Sequence, residues 1–384
     1  MTQKAKTSIL TTGQQVFLGT VPSSEDTRDY SYTDYAIIDD QEFPIEYFAS
    51  SIDDDVLDQL KWGSCASHAV TKVREIQQER DTGKYVKYSP VSHYLLRGPA
   101  GQEKYMTESI AGVKRWLCSA GMSGRTAASI AIKYGMPCPE DVWEVIKSRS
   151  ETPGIFEYNK DWTDKDMSDG WQDPFVPLEA WPDGWQELTK DFRTKFYNET
   201  NNQVYVQFDL PKRILDSKGW DACQRIKHAL MKIGPLLLGV SVYANVEVDR
   251  GVWAINPSSN FWAQQGEGVW QGGHAMTIIG WNKKGFIIQN SWGLLPSNDP
   301  DLPPGYLLMS YNDFWRMRSN SCPPTGPRNG HMIEVWGLID NPDPKPPKKI
   351  EQAPEQKVKL WVWVLLAVVI GMPLLLLLIL GMAQ

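Results

Sequence analysis

Cystine frameworks, zinc-site spacings, a secretory leader and a surplus of basic charge are all missing from this 384-residue sequence. Its five cysteines, Cys65, Cys118, Cys138, Cys223 and Cys322, are odd in number, widely spaced and free of any Cys-x-x-Cys pair. That pattern argues against a disulfide scaffold and against structural zinc, and it suits free thiols in a reducing compartment. The N-terminal stretch MTQKAKTSILTTGQQ has no apolar run long enough for a signal-peptide core, so export by that route is not expected. The formal net charge is −7 and no Lys/Arg cluster is interleaved with aromatics, so no nucleic-acid partner is expected. Acids do run together at Asp53, Asp54 and Asp55. Without His or Cys beside them they read as a solvated loop rather than a metal shell, and no metal or cofactor is expected. There is no internal repeat.

What is present is an ordinary globular composition, 42% hydrophobic and 22% charged, long enough to bury a sizeable core. Seventeen Trp is a high count, which core packing and long surface loops would absorb. From Leu360 to Met382 the sequence LWVWVLLAVVIGMPLLLLLILGM runs for 23 residues without a charge. A helix rising about 1.5 Å per residue would cross a hydrocarbon core of about 30 Å over that length. Trp361 and Trp363 stand at one end, where indoles favour the interface, and Pro373 is a kink that membrane helices tolerate. Residues 339–359 form a Pro/Lys-rich linker whose composition favours an extended spacer. Lys345, Lys348, Lys349, Lys357 and Lys359 precede the span and only two residues follow it. The positive-inside rule then predicts a single-pass C-terminal anchor in a lipid bilayer, with the remainder of the chain cytoplasmic.

Within that remainder, Cys65 to Arg80 carries Ala66, Ala69, Val73 and Ile76 on one helical stripe. A second helix is predicted over Gly124 to Tyr134, stopped by Gly135, and a third after Trp220 in DACQRIKHALMKIG. Residues 148–205, rich in Trp, Asp, Pro and Gly, read as a long irregular insertion. LLLGVSVY, HAMTIIGW, GFIIQN and GYLLMS then read as strands between Gly breaks. Helices first and strands later predict an α+β fold with a cleft between two lobes.

Cys65 follows a Gly63-Ser64 turn at the start of a helix, where partial positive charge and free amides favour thiolate. The Cys65 N–H and the Gln59 side-chain amide are candidate donors to an oxyanion. Taken alone, such a Cys is better read as a buried structural thiol. His274 opens one apolar strand and Asn290 closes the next, sixteen residues on. A hairpin would set them side by side, the carboxamide orienting the imidazole while its other nitrogen faces the thiol. His68, His93, His228 and His331 are read as packing or surface residues.

This set resembles the papain family of cysteine peptidases: Gln six residues before the Cys, a GSC turn, a GHA segment and an NSWG segment. YSPVSHYLL, KYGMPCPEDVW, IKHALMKIGPLLLGVSVY and GYLLMSY are similar to further family stretches, and the resemblance covers residues 43–338. It implies a two-lobe fold, a helical lobe and a β-barrel-like lobe with the active-site cleft between them, followed here by the anchor helix at residues 360–382. It also implies polypeptide substrates, membrane-proximal ones given the anchor, cleaved through an acyl-enzyme. Cys65 would be nucleophile, His274 acid–base, Asn290 orienting residue and Gln59 oxyanion donor. Gly63, Gly121, Met122, Gly273, Ala275 and Trp292 would contact substrate, Trp292 also shielding the His–Asn pair. Trp62 replaces a family Cys that is disulfide-bonded in secreted members, in line with a reducing location. Ala66 replaces a frequent Trp, and a Gly-Gly substrate-pairing wall is reduced to Gly121 followed by Met122. Residues 1–42 are expected to be an N-terminal extension, and the stretch before the nucleophile region is too short for the family's usual inhibitory propeptide, as in its phage, bacterial and archaeal members. Amine acceptance in place of water, giving an isopeptidase or transpeptidase, and a non-catalytic membrane scaffold that uses the cleft for binding remain alternatives.

Overall fold

Apolar runs between Gly breaks supply the long strands at the centre of the molecule. The protein is represented by a computed structural model. It describes residues 6–21, 23, 30–32, 42–50, 55–59, 63–95, 107–110, 113–117, 121–136, 175–177, 203–208, 221–258, 261–262, 268–319 and 333–340. Two units divide the chain, Met1–Asp343 and Pro344–Gln384. The second unit, and with it the expected anchor at 360–382, lies outside the described residues. Among the described residues no helix is long and apolar enough to cross a membrane.

The described strands are β1 (Lys6–Leu10), β2 (Gln15–Leu18), β3 (Tyr30–Ser31), β4 (Tyr47–Phe48), β5 (Thr107–Ile110), β6 (Val113–Leu117), β7 (Phe175–Pro177) and β8 (Gln203–Gln207). They continue as β9 (Leu236–Ala244), β10 (Val246–Asp249), β11 (Val252–Ile255), β12 (Val269–Trp281), β13 (Gly285–Gln289), β14 (Tyr306–Ser310) and β15 (Ile333–Asp340). The helices are α1 (Cys65–Thr82), α2 (Pro90–Leu95), α3 (Gly124–Tyr134), α4 (Ala222–Ile233) and α5 (Tyr311–Ser319). The architecture is mixed α+β, as the pattern predicted.

The largest sheet runs β14-β13-β12-β9-β15-β8-β3, with β4 paired to the end of β12. Its central strand β9 is buried along its whole length. A strand covered on both faces has no room for alternation, which is why LLLGVSVY reads as one continuous apolar run. A second sheet, β10-β11-β1-β2, draws its two N-terminal strands from residues 6–18. A third joins β5, β6 and β7, so part of the expected insertion is strand; the rest of 148–202 lies outside the described residues.

Helix α1 is buried on nearly every side through its first thirteen residues, so its polar groups need partners. Glu75 takes Lys72 at 2.8 Å, the Tyr85 hydroxyl at 2.9 Å and the Tyr88 N–H at 3.0 Å. Thr277 of β12 donates to the Ala69 carbonyl at 3.0 Å, and the Gln77 amide donates to the carbonyls of Ile233 and Leu338. The helix is thereby tied to β12, β15 and α4, and the thiol at its first residue is held against the sheet. Asp55 is not the solvated acid the sequence suggested. It pairs with Lys72 at 2.9 Å and with Lys87 at 3.3 Å, and despite partial burial these cations and the Tyr85 hydroxyl hold its carboxyl at about 2. Asp53 and Asp54 lie outside the described residues.

Helix boundaries follow local chemistry. Ser123 caps α3 by accepting the Thr126 N–H, and Asp221 with Gln224 forms a reciprocal capping box on α4. Gly83 ends α1 in the left-handed region, φ 69°, with its N–H on the Glu79 carbonyl.

Candidate active site

The hairpin of β12 and β13 does what the spacing predicted. His274 Nε2–H donates to Asn290 Oδ1 at 2.7 Å, and the same oxygen also accepts the Ser291 N–H at 2.8 Å. An oxygen already accepting an amide proton fixes the tautomer: the proton is on Nε2, and Nδ1 carries its lone pair. That Nδ1 is buried and has no hydrogen-bond partner. Trp292 stacks on the imidazole, ring centroids 4.3 Å apart and planes within 24°, and is itself buried. The indole covers the His274–Asn290 pair and keeps water from competing for their bond.

Cys65 is the first residue of α1, beyond Gly63 and Ser64, and is fully buried. Its sulfur lies 2.9 Å from the Thr20 hydroxyl and takes weaker backbone hydrogen bonds from Ala275, Gly19 and Ala66. The Ala275 contact sets the thiol beside the strand segment that carries His274. Gln59 is held from two directions. Its N–H donates to the Ser291 carbonyl at 2.9 Å and its Oε1 accepts from Ser291 Oγ at 2.8 Å. Its Nε2–H is left pointing at the carbonyl of Phe17, 2.8 Å away. Asp58 bridges Trp292, and the Gly293 N–H reaches the Leu57 carbonyl, so the Gln59 segment and the Trp292 segment brace each other. Cys65, His274, Asn290, Gln59 and Trp292 are thus brought together.

What fills the groove beside them was not foreseen. Residues 17–21, the end of β2 and the residues that follow it, form a strap over the thiol. Thr20 N–H donates to the Gly273 carbonyl at 3.0 Å, Met122 N–H donates to the Gly19 carbonyl at 2.7 Å, and Val21 N–H reaches the Met122 carbonyl at 3.4 Å. Thr20 is parallel to Met122 and antiparallel to Gly273. Gly63, Gly121, Met122, Gly273 and Ala275 therefore contact or flank the chain's own N-terminal segment. Two glycines permit the approach: a Cβ on Gly19 would sit 2.1 Å from the Gly63 oxygen, and one on Gly121 would sit 2.0 Å from the Gly19 oxygen. Part of the expected N-terminal extension is strand that packs beside the thiol. A short segment suffices to cover a groove when it is anchored as a strand, and β1–β2 supplies that anchor. The apolar runs SIL and QVFL about Thr-Thr-Gly are the hairpin signal that marks it.

The strap also changes the electrostatics. Burial pushes the Cys65 thiol above its ordinary range, against the lowering effect of the Thr20 hydroxyl and the backbone amides. Burial likewise takes His274 from 6.5 down to about 4, with Asn290 opposing the shift and neighbouring His68 adding to it. The strapped site holds a neutral thiol and a neutral imidazole, not the thiolate expected from the helix N-terminus alone. Desolvation outweighs the helix dipole here because no water reaches the sulfur.

His68, His93 and His228 are buried and engaged with Ser64 O, with Ser67 Oγ and Ala127 O, and with the Tyr32 hydroxyl respectively. Cys223 is a second buried thiol outside any disulfide. Trp62, Cys118, Cys138, Cys322 and His331 lie outside the described residues.

No protein-family model matches the chain, and no curated protein does. Among solved structures it is similar to xylellain, a cysteine protease from Xylella fastidiosa, at 18% identity and a TM-score of 0.47, over 89% of this chain and 99% of that one. It is also similar to a procathepsin B from Trypanosoma congolense, at 15% identity, a TM-score of 0.38 and coverage of 85% and 87%. The protease and lectin-like domains of the Clostridium difficile surface-layer protein Cwp84 match at 11% identity, a TM-score of 0.41 and coverage of 89% and 62%.

Proposed function

We propose that this chain is a papain-like cysteine endopeptidase, held shut by its own N-terminal strap and tethered to a membrane by residues 360–382. The observation that carries the reading is the His274–Asn290 bond, 2.7 Å at Nε2, which leaves Nδ1 unpartnered on the residue next to Ala275, whose backbone meets the helix-terminal thiol of Cys65.

With the strap withdrawn, water enters the groove and both shifts relax, so that the thiol can pass its proton to His274 Nδ1. The thiolate attacks a peptide carbonyl, and the oxyanion is met by Gln59 Nε2–H and the Cys65 N–H. The Phe17 carbonyl on Gln59 is a stand-in for that oxygen. The imidazolium then protonates the departing amine, leaving a thioester on Cys65. Water, deprotonated by His274, releases the acid and restores the thiol. Asn290 keeps the ring in plane through both proton transfers. The bilayer anchor rests on the uncharged run at 360–382 and would confine substrates to the neighbourhood of the cytoplasmic face.

The test is hydrolysis of a quenched fluorescent peptide library by the full chain, alongside Cys65→Ala and His274→Ala. Turnover in the wild type that both substitutions abolish is expected. Equal turnover in the Cys65→Ala chain would contradict the proposal.

A further inference from the structure

His68 is a buried imidazole that the proposed chemistry does not use, about one turn into α1 from Cys65. Its ring reaches two segments that the site needs held together. Nδ1–H donates to the Ser64 carbonyl at 3.0 Å, and that carbonyl also accepts the His68 backbone N–H at 3.0 Å. Ser64 is the N-cap of α1 and makes no side-chain capping bond, so the ring supplies a hold on this residue that its own hydroxyl does not.

The second contact is with the backbone of Asp58. Asp58 faces Trp292 across an antiparallel bridge flanked by two bonds, the Gln59 N–H on the Ser291 carbonyl and the Gly293 N–H on the Leu57 carbonyl. Bonds in those flanking places make Asp58 and Trp292 a non-hydrogen-bonded pair, whose own N–H and C=O groups point away from each other. The Asp58 backbone is thereby turned out of the bridge, where His68 meets it. Burial holds the ring at about 4, against the pull of the Ser64 and Asp58 backbone, so it is neutral at pH 7. Bonded to Ser64 and packed against Asp58, it acts as a spacer rather than as a charge. His68, Asn290 and Ser291 also line one small cavity, so the same ring backs the segment that orients His274.

Asp58 adjoins Gln59, and Ser64 adjoins Cys65. One ring therefore links the residue before the first oxyanion donor to the residue before the second. We propose that His68 is a positioning residue for the hydrolysis: its ring fixes the span between Asp58 and Ser64, and so aims Gln59 Nε2–H and the Cys65 N–H at one oxyanion. This rests on the peptidase reading above and adds a residue to its machinery. Oxyanion donors act on the transition state more than on bound substrate, so a change in their span lowers kcat and spares KM.

The experiment measures kcat and KM for a quenched fluorescent peptide with the full chain, wild type, His68→Phe and His68→Asn, beside the rate at which iodoacetamide alkylates Cys65. Phe fills the place of the ring without donating, whereas Asn is smaller but sets an amide N–H where Nδ1 stands. In His68→Phe, kcat should fall about 10- to 100-fold, the cost of donors misplaced by about 1 Å, with KM within about threefold of wild type. Alkylation expels iodide and forms no oxyanion, so its rate at Cys65 should not change. His68→Asn should keep more of kcat than His68→Phe; a space-filling role gives the reverse order. Undiminished kcat in His68→Phe, an alkylation rate that moves as much as kcat, or the reverse order overturns the inference. Should His68→Phe not fold, His68→Gln, whose amide stands where Nε2 does and misses Ser64, replaces it in the same comparison. A wild type without turnover overturns the peptidase reading and this inference with it. Turnover that the His68 variants keep leaves that reading standing and overturns this inference alone.

Discussion

Replacing Gly19 with alanine should unseat the strap and bare the thiol. The added Cβ would lie 2.1, 2.5 and 2.7 Å from the O, C and Cα of Gly63, all backbone atoms that cannot swing aside. Overpacking of this kind costs about 1–3 kcal/mol. Three short hydrogen bonds hold the strap, at Gly273, Met122 and Gln59, each with a net worth of about 1 kcal/mol. The collision is therefore comparable to what keeps the strap closed, and the open population should rise about 10- to 100-fold. The assay is alkylation of the full chain by iodoacetamide, with the peptide containing Cys65 quantified by mass spectrometry. Cys223, buried in α4, serves as the internal reference. Cys65 should react about 10- to 100-fold faster in the variant while Cys223 does not change. Gly121→Ala, which strikes the Gly19 oxygen from the opposite side, should act in the same direction. An unchanged Cys65 rate in a folded Gly19→Ala chain would refute the reasoning.

Three other outcomes follow from the same geometry. Asn290→Ala removes the acceptor of His274 Nε2–H, so peptide kcat/KM should fall by about a hundredfold, chiefly in kcat. The unfolded chain protonates His68 and His274 near 6.5, whereas burial holds both at about 4 in the folded chain. Their stabilisation is complete above pH 6.5 and is lost as pH falls to 4, by up to roughly 3 kcal/mol per histidine; denaturant midpoints across that window measure it. Removing residues 341–384 should move the protein from the membrane pellet to the supernatant while peptide hydrolysis is retained.

Much of this site was legible because its chemistry lies in short, local patterns. Cys65 at a helix start and the His274–Asn290 hairpin need only periodicity and sixteen residues of separation to be seen. Helix α3 was readable to its ends because Ser123 and Gly135 are strong punctuation. The strap was not, because its partners are remote. Thr20 meets Cys65, Met122 and Gly273 through contacts 45 to 253 residues apart in sequence, which no local window reports. The thiolate expectation was a failure of energetics rather than of pattern. Helix position favours charge on sulfur, but burial under a segment far off in the sequence outweighs it.

The central claim is that Cys65 is the nucleophile and that His274 activates it. Labelling of the full-length Gly19→Ala chain with an epoxide-type thiol-peptidase probe, mapped to the modified residue by mass spectrometry, tests this most directly. Attachment at Cys65 alone, greatly slowed by His274→Ala, is the expected result. Labelling spread over other cysteines, or at Cys65 with no dependence on His274, would contradict it.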